Sequence, residues 1–173
     1  MMLTFPVANA QMGQQGKSLE DFSTLIERWN DVDLADDERL ESVKELHIAF
    51  HQTYPDTVLY YLEGMRELAK SSDRPLALYS AHNRIASLLE KQGHTEEALI
   101  AFTQAEQVAI SVGDSARLGS VYANRGNVYV QLNQYVEAVR HFNRAMELYA
   151  EAGHKDRARK MRMALGNVFM LID

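Results

Sequence analysis

The 173-residue chain contains no cysteine. That excludes disulfides, thiolate-bound zinc, iron–sulfur clusters and a thiol nucleophile. Three prolines and nine glycines are too few for a long flexible linker. No run of about 20 apolar residues occurs, so no segment reads as a membrane-spanning helix. Basic residues are outnumbered, 18 to 24, leaving a net charge of −6. Nucleic-acid binding needs a basic face that neutralises phosphates, and an acidic chain is a poor candidate for it. The phosphate loop G-x-x-x-x-G-K-[ST], a G-x-G-x-x-G after a strand and the nucleophile elbow G-x-S-x-G are all missing. No catalytic residue, cofactor or metal is therefore assigned, and the chain reads as a non-enzyme.

The acidic charge is unevenly spread. Ser18 to Asp73 carries 14 acidic and 5 basic side chains, whereas Asp114 to Asp173 carries 6 acidic and 9 basic. The basic stretch "HKDRARKMR" reads as the solvated start of a helix. At the other end, "MMLTFPVANAQ" places a small-x-small triplet before Gln11, as at a secretory cleavage site, but without a basic n-region. Two readings of residues 1–17 stand: the remnant of a signal peptide, which implies a periplasmic protein, or a plain tail, which fits a cytoplasmic one.

Hydrophobic residues make up 46% of the chain, enough for a core, and they recur. At an offset of 40 the sequence aligns with itself without a gap. Ala86, Gly126 and Gly166 coincide, as do Leu89, Tyr129 and Phe169. Gly93 meets Asn133, Ala98 meets Ala138, Phe102 meets Phe142, Ala105 meets Ala145 and Gly113 meets Gly153. Leu46, Ala49, Val58, Leu62 and Met65 occupy the same slots in a weaker upstream unit.

Apolar residues recur at three- and four-residue steps in both halves of each unit, so each unit is a pair of helices. Gly93, Asn133, Gly113 and Gly153 separate the helices, being residue types that tolerate a left-handed helix end. Pro55 suits a first helical turn. The expected helices are 35–53, 56–70, 75–92, 95–112, 115–132, 135–152 and 155–172, preceded by a leading helix 18–29 with a Ser18…Asp21 capping pair. The repeats run over 35–74, 75–114 and 115–154, with an unpaired final helix at 155–172, and the whole of 18–173 forms one domain. Within each hairpin a small residue must face a large one: Gly126 and Ala138 give room for Tyr129 and Phe142. One hairpin cannot bury both of its faces, so the units must stack.

The order small-x-x-aromatic…Ala-x3-Phe-x2-Ala resembles the tetratricopeptide repeat (TPR). The likeness is close over 75–173 and looser over 35–74. It departs in its 40-residue period, in His82, Tyr122 and Arg162 at the tryptophan slot, in Ile110 and Ala150 at the terminal proline slot, and in Arg125 where leucine is usual. The Arg125 stem should pack while its head reaches a carboxylate or solvent. The resemblance implies an all-α, right-handed α-solenoid of tandem antiparallel helix hairpins. It also implies a groove that binds a protein or peptide. By position, the groove holds Asn83, Ser87, Asn124, Asn127, Met163 and Asn167, with Arg84 and Lys91 nearby. Asparagine both donates to and accepts from a peptide backbone. Ala123 and Val130 stand where a clamp for chain-terminal carboxylates would want Lys and Arg.

More narrowly, "LIERWNDVDLADDERLESVKEL…YPDTVLYYLEGMRELA" followed by such repeats is similar to the N-terminal sensor arrays of bacterial adenylate/guanylate cyclases and histidine kinases. That likeness implies a module of a signalling protein, with an output domain elsewhere.

Other chemistry is thin. His47 and His51 share a helix face, but the Glu of H-E-x-x-H and a third ligand are missing, so no metal site is expected. Asp36, Asp37 and Glu38 lie at a helix start, where the dipole favours acids. Tyr54, Tyr60 and Tyr61 read as core. The final helix, "MRMALGNVFMLID", is apolar at Met161, Met163, Leu165, Val168, Phe169, Met170, Leu171 and Ile172. Some of these pack back on 135–152. Val168 to Ile172 are expected as an exposed strip that meets further repeats or self-associates. Two alternatives to peptide binding therefore stand: a homodimerisation module, and a small-molecule sensor using the groove.

Overall fold

A computed structural model describes residues 19–172. Among the described residues there are eight α-helices and no strand: α1 (Leu19–Asn30), α2 (Asp36–Phe50), α3 (Pro55–Ser71), α4 (Pro75–Lys91), α5 (Thr95–Ser111), α6 (Ser115–Gln131), α7 (Tyr135–Glu151) and α8 (Lys155–Ile172). The fold is all-α, built of helix hairpins. The expected tail at 1–17 and Ser18 of the expected capping pair lie outside the described residues. One expected boundary moves: α2 ends at Phe50 rather than running to 53. Pro55 opens α3 and disfavours helical geometry in the residue before it, so the turn must form earlier.

The chain divides into two compact units, the first reaching Leu68 and the second beginning at Ala69. In the first, Phe22 of α1 meets Phe50 edge-on with ring centroids 4.9 Å apart, and Tyr54 at 5.5 Å. Leu40, Val43, Leu46, Val58, Leu62 and Met65 are buried. Gly64 of α3 admits the Trp29 ring: a Cβ there would lie 2.9 Å from Trp29 Cζ2. Arg39 covers the same ring from 5.3 Å and donates its Nε–H to the Trp29 carbonyl at 3.0 Å. Of the tyrosines expected in the core, Tyr61 is buried but Tyr60 is 52% exposed. Adjacent helical residues point about 100° apart, so one stripe cannot take both.

The second unit is more regular. Helices α4 to α7 are each 17 residues long. Asp73, Gly93, Gly113, Asn133 and Gly153, spaced every 20 residues, all have positive φ, between 52° and 84°. Each is followed by an N–H that bonds back to the last helical turn: Arg74 to the Ala69 carbonyl, His94 to Leu89, Asp114 to Ala109, Gln134 to Tyr129 and His154 to Tyr149, at 2.8–3.0 Å. This double closure satisfies carbonyls that the helix end would leave open. Two 17-residue helices and two such turns account for the 40-residue period.

Small residues set how closely the helices approach. Ala98, Ala105, Ala138 and Ala145 are fully buried beside Phe102 and Phe142. At Gly126 of α6, a Cβ would lie 2.6 Å from Phe142 Cδ1 and 3.0 Å from Cζ. Gly119 likewise admits Tyr149. Helix α8 packs on α7 through Ala158, Met161, Leu165 and Val168. Val168, expected in the exposed strip, is thus buried, at 2% exposure. It sits one turn after Leu165 on the α7-facing side, beside Ala138 and Phe142.

Candidate protein-binding face

Helices α4, α6 and α8 are the first helices of successive hairpins. The first two meet directly through polar side chains: Asn124 donates its Nδ2–H to Asn83 Oδ1 at 3.1 Å, and the Gln131 side-chain amide donates to the Glu90 carboxylate. Deeper in, Tyr79 donates its hydroxyl to the Arg117 carbonyl at 3.0 Å. Burial pushes the Tyr79 phenol up to about 12. Helix α8 continues the series on the far side, since Ala123 of α6 and Ala158 of α8 share one cluster with Ala145 and Tyr149 of α7.

The candidate groove residues fall into four groups. Asn83 and Asn124 are half-buried and spend one donor and one acceptor on each other. Arg84 is held by a bond from its Nε–H to Ser80 Oγ at 3.2 Å, while Ser87 is half-buried and Lys91 exposed on the same helix. Asn127 and Asn167 are exposed, and their amides make no side-chain hydrogen bond among the described residues. Met163 is 66% exposed and lies one helical turn before Asn167 on α8. Of the expected self-association residues, Phe169, Met170, Leu171 and Ile172 are 52–72% exposed.

The face is backed by a polar network that ties α5 to α6. Arg125 reaches Glu106 at 2.6 Å with side-chain exposures of 14% and 17%, and also reaches the Thr103 hydroxyl. Tyr122 donates to the other Glu106 oxygen at 2.7 Å. The carboxylate expected for Arg125 is thus Glu106, a partner 19 residues away that no local pattern indicates. His141 of α7 lies against Tyr129 and Tyr122, with ring centroids at 4.8 and 5.6 Å. Burial, reinforced by the Arg125 charge, pulls its pKa below the ordinary histidine value.

Elsewhere, the His47 and His51 rings stack at 5.0 Å, and His51 Nδ1 lies 2.9 Å from the His47 carbonyl. Among the described residues no group of three or more His, Asp or Glu side chains is placed to hold a metal ion. No described helix is long and apolar enough to cross a membrane. Asp36, Asp37 and Glu38 occupy the first turn of α2, and Asp36 pairs with Arg39 at 3.8 Å.

A family model described as the tetratricopeptide repeat matches residues 77–151. Over those residues the chain is similar to the tetratricopeptide repeat family. The matched stretch holds nearly all of α4 to α7, the helices whose turns and small-to-large contacts are most regular. The crystal structure of BtubC (BKLC) from P. vanneervenii has a similar fold: the match covers 88% of this chain and 71% of that one, with a TM-score of 0.61 and 14% identity. At that identity the likeness concerns the fold alone. No curated protein matches the chain. TPR repeats generally mediate protein–protein interaction and form a non-catalytic scaffold.

Proposed function

We propose that this chain binds an extended segment of another protein along the face shared by α4, α6 and α8. The observation that carries this reading is the pair Asn127 and Asn167. They occupy the same slot of successive repeats, both are exposed, and neither amide has a side-chain partner among the described residues. A primary amide both donates and accepts, so a row of them pairs with peptide backbone without demanding a particular sequence. Ser87 and Lys91 extend the row, and Arg84 with Lys91 favours a segment carrying an acidic residue. Asn83 and Asn124 act mainly by fixing the spacing between α4 and α6. In this reading the chain is the recognition module of a larger bacterial signalling protein, an inference from the similarity of residues 25–69 and their following repeats to the sensor arrays of cyclases and histidine kinases.

The test begins with peptides selected from a random library on the intact chain. Asn127→Ala combined with Asn167→Ala should weaken the selected peptides at least tenfold while the helical circular dichroism stays unchanged. Undiminished affinity in the double variant would remove the assignment. A thermal shift with a small metabolite but no peptide capture would favour a small-molecule sensor instead.

A further inference from the structure

Charge is sorted between the two kinds of helix in the second unit. The first helices of the hairpins, α4, α6 and α8, together hold nine Lys and Arg and two acidic residues. The second helices, α5 and α7, hold two Arg and six Glu. Part of the positive charge converges at one end of the candidate face. Arg84 reaches back one turn to Ser80. Arg117 lies over the Tyr79 ring, its Cζ 5.6 Å from the centroid. Arg157, in the same slot of the next repeat, lies over the Tyr149 ring, also at 5.6 Å. Both phenols converge on Ser120 of α6: Tyr149 donates to Ser120 Oγ at 3.1 Å, and the Tyr79 phenol, bonded to the Arg117 carbonyl, lies beside the same hydroxyl. The two rings are buried, Tyr79 coming from the α4 side and Tyr149 from the α7 side. They fix two guanidiniums flanking Ser120, and Lys160 occupies the Ser120 slot of α8.

Resting on the peptide-binding reading above, we infer that the bound segment carries an acidic side chain whose carboxylate sits over Ser120, between Arg117 and Arg157. The repeat itself shows what a guanidinium in this slot binds. Arg117 pairs with the Asp114 carboxylate, whereas the Asp114 slot of the next repeat holds His154. Among the described residues the Arg157 and Lys160 side chains make no ion pair or hydrogen bond. The ligand supplies the carboxylate that this repeat lacks. Equivalent positions on neighbouring packed helices lie about 10 Å apart. A carboxylate that accepts an N–H from each side at about 2.8 Å spans such a gap between two guanidinium carbons. A guanidinium already stacked on a ring loses little further freedom when it binds, and its N–H edge stays open to an acceptor. Asp114 offsets one of the three charges of Arg117, Arg157 and Lys160, which leaves the spot positive on a chain of net charge −6. These are not the slots of a clamp for chain-terminal carboxylates, where Ala123 and Val130 stand. Arg157 precedes Asn167 on α8 by a rise of about 15 Å. An extended chain covers that distance in about four or five residues, so the acid stands that far from the stretch held by Asn127 and Asn167.

Peptides selected on the intact chain from a random library, all with amidated C-termini, test the inference. They should share an Asp or Glu. Replacing that residue by Asn or Gln should weaken binding about tenfold, the contribution of one charge-assisted hydrogen bond. Moving the acid two residues along the peptide should lose about the same factor, because the rings hold both guanidiniums in place. Arg157→Gln combined with Lys160→Gln should weaken the acidic peptide about tenfold and leave its amide version unchanged. Both side chains are exposed, so the helical circular dichroism should not change. Selected peptides without a shared acid, or an acidic peptide that the Arg157→Gln, Lys160→Gln variant binds as well as the wild type does, would overturn the inference. If Asn127→Ala with Asn167→Ala still weakens those peptides, the peptide-binding face survives that failure. Undiminished binding by both double variants would remove the face as well.

Discussion

Alanine at Gly126 and alanine at Gly166 should move stability in opposite directions. Both glycines lie inside helices, and replacing an interior helical glycine by alanine is worth about 1 kcal/mol through backbone entropy and solvation. At Gly166 nothing stands within 4 Å of the new methyl, so that gain is kept whole. At Gly126 the methyl would lie 2.6 Å from Phe142 Cδ1 and closer still to Cε1. Ordinary carbon contacts need nearly an ångström more. Phe142 is 2% exposed and hemmed in by Ala138, Leu165 and Val168, so the ring has little space to retreat into. Overpacking of this kind costs about 2–3 kcal/mol, which outweighs the helix gain and leaves Gly126→Ala about 1–2 kcal/mol less stable. At this chain length 1 kcal/mol corresponds to about 2–4 °C in melting temperature. Thermal unfolding followed by circular dichroism, at a concentration where the chain is monomeric, should separate the two variants by roughly 5–10 °C. Adding Phe142→Leu to Gly126→Ala should cost less than the two single changes summed, because the shorter side chain relieves the clash. If both alanines raise stability, or both lower it, Gly126 does not face Phe142 across the α6–α7 hairpin and the helix register is wrong.

Three further outcomes follow from the second unit. Arg125→Met or Glu106→Gln alone should destabilise by about 2 kcal/mol, because the remaining group keeps its burial without its partner, whereas the double variant should recover much of the loss in the same unfolding assay. Asp114 caps α6 by accepting the Arg117 backbone N–H at 2.8 Å. Asp114→Ala should cost about 1 kcal/mol at neutral pH. That backbone bond, aided by the Arg117 guanidinium, holds the carboxyl below its ordinary 3.8. The cap's contribution is therefore present above about pH 4 and lost as pH falls through the folded value, so urea midpoints of variant and wild type should converge in acid. The Tyr79 phenol is raised to about 12, so its contribution is intact below about pH 10 and fades as pH climbs from there towards 12. Tyr79→Phe should flatten the alkaline limb of the stability profile.

The helices are legible in the sequence because two local rules coincide with one period. Apolar residues step by three and four, and residues that tolerate a left-handed conformation close the turns. Four of the five turn residues, Gly93, Gly113, Asn133 and Gly153, are readable on that basis. Asp73 fills the same role without announcing it, since aspartate is common at helix starts as well. The small-to-large pairing of Gly126 with Phe142 is legible because the repeat shows it in successive copies. The candidate face is legible in position but not in detail. The self-alignment at an offset of 40 pairs Asn83 with Ala123, whereas the Asn83–Asn124 bond spans 41 residues and follows from the lateral stagger of stacked helices. Glu106 as the Arg125 partner is hidden for the same reason, since it faces across a hairpin junction. Val168 departs from expectation because a run of five apolar residues, Val168 to Ile172, conceals the phase of the helix. Only the packing of Ala158, Met161 and Leu165 on α7 fixes which of the five turns inward.

Whether the α4–α6–α8 face takes a peptide is settled most directly by mapping where selected peptides sit, using backbone amide chemical shifts of the full chain titrated with peptide. The largest shifts should fall on the α4 and α6 residues 84–91 and 124–131 and around Asn167 of α8. Shifts concentrated instead on the outer surfaces of α5 and α7, around Ile100 and Val136, would contradict binding at this face.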